Sequence, residues 1–451
     1  MKKICIIGNG ISGITAARHV RKQKPASDCS ITVISSETDY FFSRTALMYI
    51  YMGHMTFAHT KPYEDWFWEK NDIKLVRDYV KHVDVESQQI ILEKGSTVPY
   101  DILILATGSQ GNRIGWPGEE LKGVQSMITY QDIQLMEENT KGVERAVIVG
   151  GGLIGVEMAE CLLSRKIPVT FLIREDSYWD YMLPAGESVM VTRHIRRHGV
   201  DLLTSTDFKS INGDENGRVK SVTYAIDGEE KEIACQFVGI TVGVKPNIEF
   251  LKNSNIETDR GILVNEFLET NVPGVYAIGD CAQHRNPPSG RRPVEQIWYS
   301  GRMQGETVAR TITGDKTKYV PGVFFNSAKF FDIEYQVYGT VNVPPTADEE
   351  QLYWEHEGGE KSIRIVYDKA TGAVKGFNLM GIRFRHEVCD RWIKEKATID
   401  TVLQNLSKAN FDPEFHQRYE AEVIARYNEL HPDGPVITAR KKSTIAAFFG
   451  L

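Results

Sequence analysis

Ile4-Cys5-Ile6-Ile7-Gly8-Asn9-Gly10-Ile11-Ser12-Gly13 is the stretch on which the reading of the fold turns. Four apolar residues without alternation are the pattern of a central strand buried on both faces. The glycines that follow have the spacing G-x-G-x-x-G, and a helical stretch, Ile14 to Lys24, comes directly after them. Pro25-Ala26-Ser27 ends that helix. Ile31-Thr32-Val33-Ile34 then forms a second strand, closing on Ser35-Ser36-Glu37. Strand, glycine turn, helix, strand and terminal acid predict a βαβ unit that binds a dinucleotide. Gly8 permits the tight turn, Gly10 lets the backbone approach a pyrophosphate, and Gly13 lets helix pack close to strand. Ile11 and Ser12 lie between these glycines, where the helix N-terminus turns its N–H groups and positive dipole end to phosphate. Glu37 is placed to bind ribose hydroxyls.

The pattern returns about 140 residues later, as an internal repeat of function rather than of short period. Ala146-Val147-Ile148-Val149 is a strand, Gly150-Gly151-Gly152-Leu153-Ile154-Gly155 a glycine turn, Val156 to Lys166 a helix, and Val169 to Ile173 the next strand. Gly150, Gly152, Leu153, Ile154 and Gly155 are its candidate binding residues. The end of its second strand is contradictory. A site for NAD places an acid there to bind the 2′-hydroxyl; this chain has Ile173, then Arg174, then Glu175. Gly155 leans to NADH, Arg174 to the 2′-phosphate of NADPH, and Glu175 opposes that phosphate. The balance tilts to NADPH with NADH left open.

Two connecting segments lie beside these units. Tyr100 to Ser109 is an apolar strand ending in Ala106-Thr107-Gly108, and Phe237 to Asn247 has a similar shape around Gly243. Val275-Tyr276-Ala277-Ile278-Gly279-Asp280 is a third strand with a glycine–acid end. A carboxylate there suits a hydrogen bond from a polyol hydroxyl; the alternative for Asp280 is a helix N-cap. Beyond about residue 320 the texture changes: residues 352–380 read as hairpins around the turn Asp368-Lys369-Ala370-Thr371-Gly372, followed by helical segments near 384–395 and 398–407.

Composition narrows the class. The chain has 451 residues, enough for two to four domains at about 100–200 residues each. A net charge of −7 with interleaved signs excludes a generally basic nucleic-acid binder. No stretch reaches the roughly 18 apolar residues of a membrane span, and the first apolar run meets Gly8 too early for a leader. Six scattered cysteines without C-x-x-C argue against a disulfide scaffold, and no H-E-x-x-H or cysteine cluster suggests a metal or an iron–sulfur centre. The cytoplasm is the expected compartment.

Both glycine turns, Glu37, the Ala-Thr-Gly strand and Thr270-Asn271-Val272-Pro273-Gly274-Val275-Tyr276-Ala277-Ile278-Gly279-Asp280 occur in an order that resembles the two-dinucleotide-binding-domain flavoproteins, the pyridine nucleotide–disulfide oxidoreductase superfamily, over roughly residues 1–320. The resemblance implies an α/β fold with two Rossmann-like domains and a C-terminal α+β interface domain. FAD would occupy residues 1–117 and 252–320, NADH or NADPH residues 118–251, and the interface domain residues 321–451. It also implies that Gly279 and Asp280 bind the FAD ribityl chain and phosphates. Glu157 matches a family acid near nicotinamide and flavin; the alternative is a solvated helix face. Gln296 and Trp298, within Glu295 to Gly305, resemble the segment beside the flavin ring, and Phe325 to Lys329 the interface stretch reaching toward it.

Disulfide-reducing members carry cysteines against the flavin. The corresponding stretch here, Tyr40 to Leu47, has none. Glu37 to Leu47 instead resembles the acid-x-x-Tyr-x-x-Arg-x-x-Leu stretch of the ferredoxin, rubredoxin and nitrite reductase branch, which implies Arg44 along the FAD pyrophosphate and a small redox protein as electron acceptor. No side chain is expected to act as nucleophile or base. Cys5 and Cys161 read as buried packing residues. Cys281, directly after Asp280, also reads as packing, with a role beside the flavin as its alternative. His431-Pro432 reads as a turn. Two other functions stay open: a peripheral membrane quinone reductase anchored by the basic and apolar tail Arg440 to Leu451, and a flavin-binding protein with a decayed nicotinamide site. A homodimer is implied by the resemblance alone.

Overall fold

The computed structural model describes residues 1–288, 290–411 and 417–439. The chain divides into two compact units, Met1–Arg174 with Ser205–Pro321, and Glu175–Thr204 with the chain from Gly322 onward.

The first unit holds two parallel sheets. In one the strand order is Val275–Ala277, Ile102–Leu105, Lys2–Ile7, Cys29–Ser35, Ile73–Arg77, every pair parallel. Ile7 is level with both Ile34 and Leu105, so Gly8, Ser35 and Ala106 emerge together at the carboxyl edge. The helix Ile11–Gln23 buries Gly13, Ile14, Ala16, Ala17 and Val20, a face of small and β-branched residues that allows close packing. It begins three residues before the expected Ile14, because Gly13 lies inside its first turn rather than ahead of it. A second helix, Trp298–Thr313, comes so close that a Cβ on Gly305 would lie 2.6 Å from the Ser12 carbonyl oxygen.

The strands that this unit contributes to the other sheet run Val169–Leu172, Ala146–Val149, Phe237–Ile240, Val124–Gln125, again parallel, with the helix Leu153–Ser164 after its glycine turn. The two connections zip together: Val244–Pro246 pairs antiparallel with Ser109–Gly111. Open α/β sheets take ligands outside the carboxyl ends of their strands, and both glycine turns occupy such ends.

The second unit is an antiparallel sheet in the order Phe325–Phe330, Ile333–Gly339, Val374–Met380, Ser362–Asp368, Glu349–Glu355. The turn predicted at Asp368 is present: its carboxylate accepts from the Ala370 and Thr371 N–H groups, and the Gly372 N–H donates to its carbonyl. The helical segments expected near 384–395 and 398–407 are His386–Lys394 and Ile399–Gln404, the latter continuing into a short 3-10 turn at Leu406–Ala409. Their apolar faces join Leu352, Ile365 and Phe377 of the sheet in one core. The helix Ala185–Arg197 belongs to this unit too. Its Glu187, 0% exposed, accepts both arms of the Arg364 guanidinium at 2.8 and 2.7 Å. Such a pair specifies where the helix sits more than it adds stability, because desolvating both charges offsets most of their attraction.

Candidate functional site

At the carboxyl edge of the first sheet lies a cavity of about 500 Å3. Of the residues expected from sequence, it gathers Gly8, Gly10, Ile11, Ser12, Glu37 and Arg44 at the first glycine turn, Ala106, Thr107 and Gly108 from the neighbouring strand, and Asp280, Gln296 and Trp298 from the third segment. Ile154 and Glu157, from the helix after the second glycine turn, also face it. Gly13, Gly150, Gly152, Leu153, Gly155, Arg174, Gly243 and Gly279 do not line it.

The first turn is built as a cradle. Gly8 has φ +113°, and a Cβ there would lie 2.1 Å from the Ala106 carbonyl oxygen. A Cβ on Gly10 meets nothing within 4 Å: the space a side chain would fill faces the cavity. No side chain caps the helix that starts there and no acid sits in its first turn, so its N–H groups and dipole are available to an anion. Asn9 anchors the turn, donating to the Thr38 carbonyl at 2.9 Å and accepting from the Ser35 hydroxyl at 2.9 Å. These features fit the pyrophosphate of a dinucleotide.

Glu37 stands at the second strand end as expected. It accepts from Arg44 and from the Tyr130 N–H at 2.9 Å. Arg44 also donates to the Ile128 carbonyl at 2.6 Å, so its guanidinium is tied to Glu37 and to the chain around residue 128.

At the other end, Gln296 donates to the Ser109 hydroxyl at 2.8 Å, and Ser109 donates to Asp280 at 3.1 Å. Removal from water pushes the Asp280 carboxyl pKa up, against the Ser109 hydrogen bond and the positive charge of Arg44. Asp280 does not cap a helix. It sits in a short 3-10 turn, Gly279–Cys281, and the chain continues into the strand Ala282–His284. Gly279, φ +74°, donates its N–H to the Gln304 side chain at 2.6 Å, which fixes the turn that carries the acid.

The second glycine turn repeats the first in backbone. Gly150 has φ +110°, with Thr241 where Ala106 stands for Gly8, and a Cβ on Gly155 would lie 2.5 Å from the Phe171 ring. Gly243 has φ +89°, and its carbonyl accepts from the Asn112 N–H at 3.0 Å. At the strand end Ile173 is 1% exposed, whereas Arg174 is exposed.

Sequence reasoning missed several walls: Asp78–Val80, Met127–Thr129, Ser109 and Asn247. Apart from Ser109, which follows Gly108 directly, no spacing signals them, because each reaches the cavity through a long-range contact, as when Thr107 donates to the Asn247 carbonyl at 2.7 Å. All six cysteines are buried, and none lines the cavity. The Cys281 thiol, its pKa pushed up by burial, donates to the Leu105 and Ile278 carbonyls. His431 ends the helix Glu420–Leu430, and the chain turns there, with the Gly434 N–H on its carbonyl at 3.1 Å. No helix among the described residues is long and apolar enough to cross a membrane. The tail from Arg440 to Leu451 lies outside the described residues.

Two glycine-turn units, each at the carboxyl edge of a parallel sheet, define a protein built around two dinucleotide sites. The comparison with known proteins makes this particular: residues 2–305 match the pyridine nucleotide-disulphide oxidoreductase family, and the chain belongs to it. The family is one of FAD-dependent enzymes that use NADH or NADPH, so the expected class, a flavoprotein oxidoreductase, holds at that level. The chain is 28% identical over 376 residues to nitrite reductase [NAD(P)H] of Bacillus subtilis, covering 83% of this chain and 45% of that one. It thus spans about half the length of that relative. It is 26% identical over 319 residues to the NADH-rubredoxin oxidoreductase of Clostridium acetobutylicum, covering 70% and 76%. Among solved structures, the covalent putidaredoxin reductase–putidaredoxin complex shares the fold, with a TM-score of 0.76 at 19% identity over 88% of this chain and 93% of that one.

Proposed function

We propose that the chain is an FAD-dependent NAD(P)H oxidoreductase that delivers electrons to a small redox protein of the ferredoxin or rubredoxin kind, without a redox-active disulfide. The observation that carries this reading is a dinucleotide cradle with no cysteine on its walls. Bound FAD would accept hydride from the nicotinamide and release electrons singly. The chain's own work is binding and orientation. Gly8, Gly10, Ile11, Ser12 and Gly13 hold the pyrophosphate, Glu37 the ribose hydroxyls, and Asp280, steadied by Ser109, a ribityl hydroxyl. Arg44 lends positive charge to this end while holding Glu37. Ala106, Thr107, Gly108, Gln296 and Trp298 border the flavin, and Gly279 shapes its turn. Gly150, Gly152, Leu153, Ile154 and Gly155 take the nicotinamide nucleotide, with Glu157 facing the shared cavity and Gly243 shaping the connection beside it. On this reading residues 1–117 and 252–320 form the flavin domain, 118–251 the nicotinamide domain and 321–451 the interface domain.

NADPH is the preferred donor in this proposal, because buried Ile173 offers no acid and exposed Arg174 offers a phosphate partner. The named relatives, a nitrite reductase and a rubredoxin oxidoreductase, support an electron-transfer role. Six cysteines without a disulfide suit a reducing compartment, and we assign the enzyme to the cytoplasm.

The test is an anaerobic titration of the purified yellow protein with NADPH and, separately, NADH. Bleaching of the oxidised-flavin band, followed by its return on adding oxidised ferredoxin or rubredoxin, is expected. A colourless protein that binds no added FAD overturns the proposal, and a yellow one that neither nucleotide bleaches leaves a flavin binder without a donor site.

A further inference from the structure

The sequence His194-Ile195-Arg196-Arg197-His198 places two imidazoles four residues apart, on one face of the helix Ala185–Arg197 and its C-cap. A third group meets them from a separate segment. Asp332 lies in the tight turn between Phe325–Phe330 and Ile333–Gly339, where Phe331 has φ +56°. The three side chains bring their donor atoms within 4.8 Å of one another. Asp332 Oδ1 is 2.5 Å from His194 Nε2 and 3.4 Å from His198 Nε2. Donors sharing one zinc ion, each about 2.0–2.2 Å from it, lie about 3–3.5 Å apart; the His198–Asp332 separation is of that size, while the His194–Asp332 pair, at hydrogen-bond distance, would part slightly to admit an ion.

Proton bookkeeping shows what the cluster needs. His198 Nδ1 is 3.1 Å from the His194 carbonyl oxygen, which can only accept, so Nδ1 carries the proton. The other ring nitrogen, Nε2, then faces the Asp332 carboxylate at 3.4 Å, a separation that lets the two share one cation. The His198 ring is held for this by Phe331, stacked at 4.4 Å and 19°. His194 is 2% exposed and makes its polar side-chain contact through Nε2. Asp332 is 69% exposed, which leaves an entry path and a position for water.

We propose that His194, His198 and Asp332 form a binding site for a divalent transition-metal cation of the zinc type, pinning the helix Ala185–Arg197 to the hairpin at Asp332. Two histidines and a carboxylate are an ordinary zinc ligand set, and the backbone bond at His198 Nδ1 is the outer contact that orients such a ligand. The site lies wholly within the second unit and owes nothing to the flavin cavity.

The experiment uses the full-length flavoprotein after chelator treatment, titrated with Co2+ and read at wavelengths longer than the flavin bands. One equivalent is expected to give a saturable cobalt absorption that Zn2+ abolishes, and Zn2+ is expected to raise the unfolding temperature by a few degrees. His198→Ala and Asp332→Asn alter exposed or half-exposed positions, and each is expected to weaken Co2+ binding by about 100-fold or more. His54→Ala, an exposed histidine elsewhere, leaves it unchanged. If no saturable band appears, or if both variants bind as tightly as the parent, the site is no metal site.

Discussion

The two glycine turns of the first unit have almost the same backbone and different surroundings. Gly8 and Gly150 share a positive φ, +113° and +110°, and each is pressed against the neighbouring parallel strand. The difference lies at the end of the following strand. There the first turn has Glu37, a carboxylate accepting from Arg44 and the Tyr130 N–H. The second has Ile173, whose side chain is buried and whose carbonyl accepts from Thr206. The backbone makes the same glycine turn twice; on the proposed function, the side chain after the second strand decides which nucleotide each turn suits.

Substituting the paired glycines gives the largest effects. A Cβ at Gly8 would meet the Ala106 carbonyl oxygen at 2.1 Å, and at Gly150 the Thr241 carbonyl at 2.7 Å. Gly8→Ala is expected to cost about 3 kcal/mol or more and to give a colourless protein, measured by denaturant unfolding and flavin content. Gly150→Ala is expected to stay yellow and to lose reduction by either nicotinamide. If Gly150→Ala loses flavin as readily as Gly8→Ala, the assignment of one nucleotide to each turn is wrong.

Asp280 belongs to the cavity at the first turn. Burial raises its pKa in the folded chain. Folding with this group therefore favours the protonated form, and its contribution to stability is lost as pH rises through the raised value. Asp280→Asn removes that penalty. The flavin-free variant is expected to melt higher than the parent at pH 8, with the gap closing toward pH 4. Its FAD affinity is expected to fall by about 100-fold, by equilibrium titration. An unchanged FAD affinity would remove Asp280 from the ribityl site.

Much of this comparison was legible in the sequence, because strand, glycine spacing and helix are local patterns that the backbone must satisfy within about thirty residues. The turn residues Asp368-Lys369-Ala370-Thr371-Gly372 likewise located a hairpin. The cavity's remaining walls were not legible. Asp78, Met127 and Asn247 come to the glycine turn only through strand order and crossover connections. The cap reading of Asp280 failed because the chain after Cys281 pairs with Ile262–Val264 instead of coiling into a helix. The helix Ala185–Arg197 shows no sign in its own sequence that Glu187 is to meet Arg364, 177 residues away. The spacing His194-x-x-x-His198 was visible, but its third partner, Asp332, is set by the fold alone.

Arg174 tests the second strand end with a smaller change. If its guanidinium binds the 2′-phosphate, Arg174→Ala should raise KM for NADPH about tenfold, some 1.4 kcal/mol, and leave kcat and the values for NADH near those of the parent. Equal losses with both nucleotides would mean that Arg174 acts on the fold and not on the phosphate.

The smallest effect is expected at Cys281, and it bears on how electrons leave. The residue follows Asp280 directly, as near to the cavity as any cysteine in sequence, yet its thiol is buried, has its pKa raised, and donates to two backbone carbonyls. A group with a raised pKa holds its proton at neutral pH, and a protonated thiol is neither nucleophile nor electron relay. Cys281→Ser keeps a donor of similar size for both carbonyls. It should cost at most about 1 kcal/mol of stability, and leave the rate of carrier reduction within about twofold. A loss of carrier reduction with flavin reduction by NADPH intact would place a thiol between flavin and acceptor, and would return this chain to the disulfide-using side of its family.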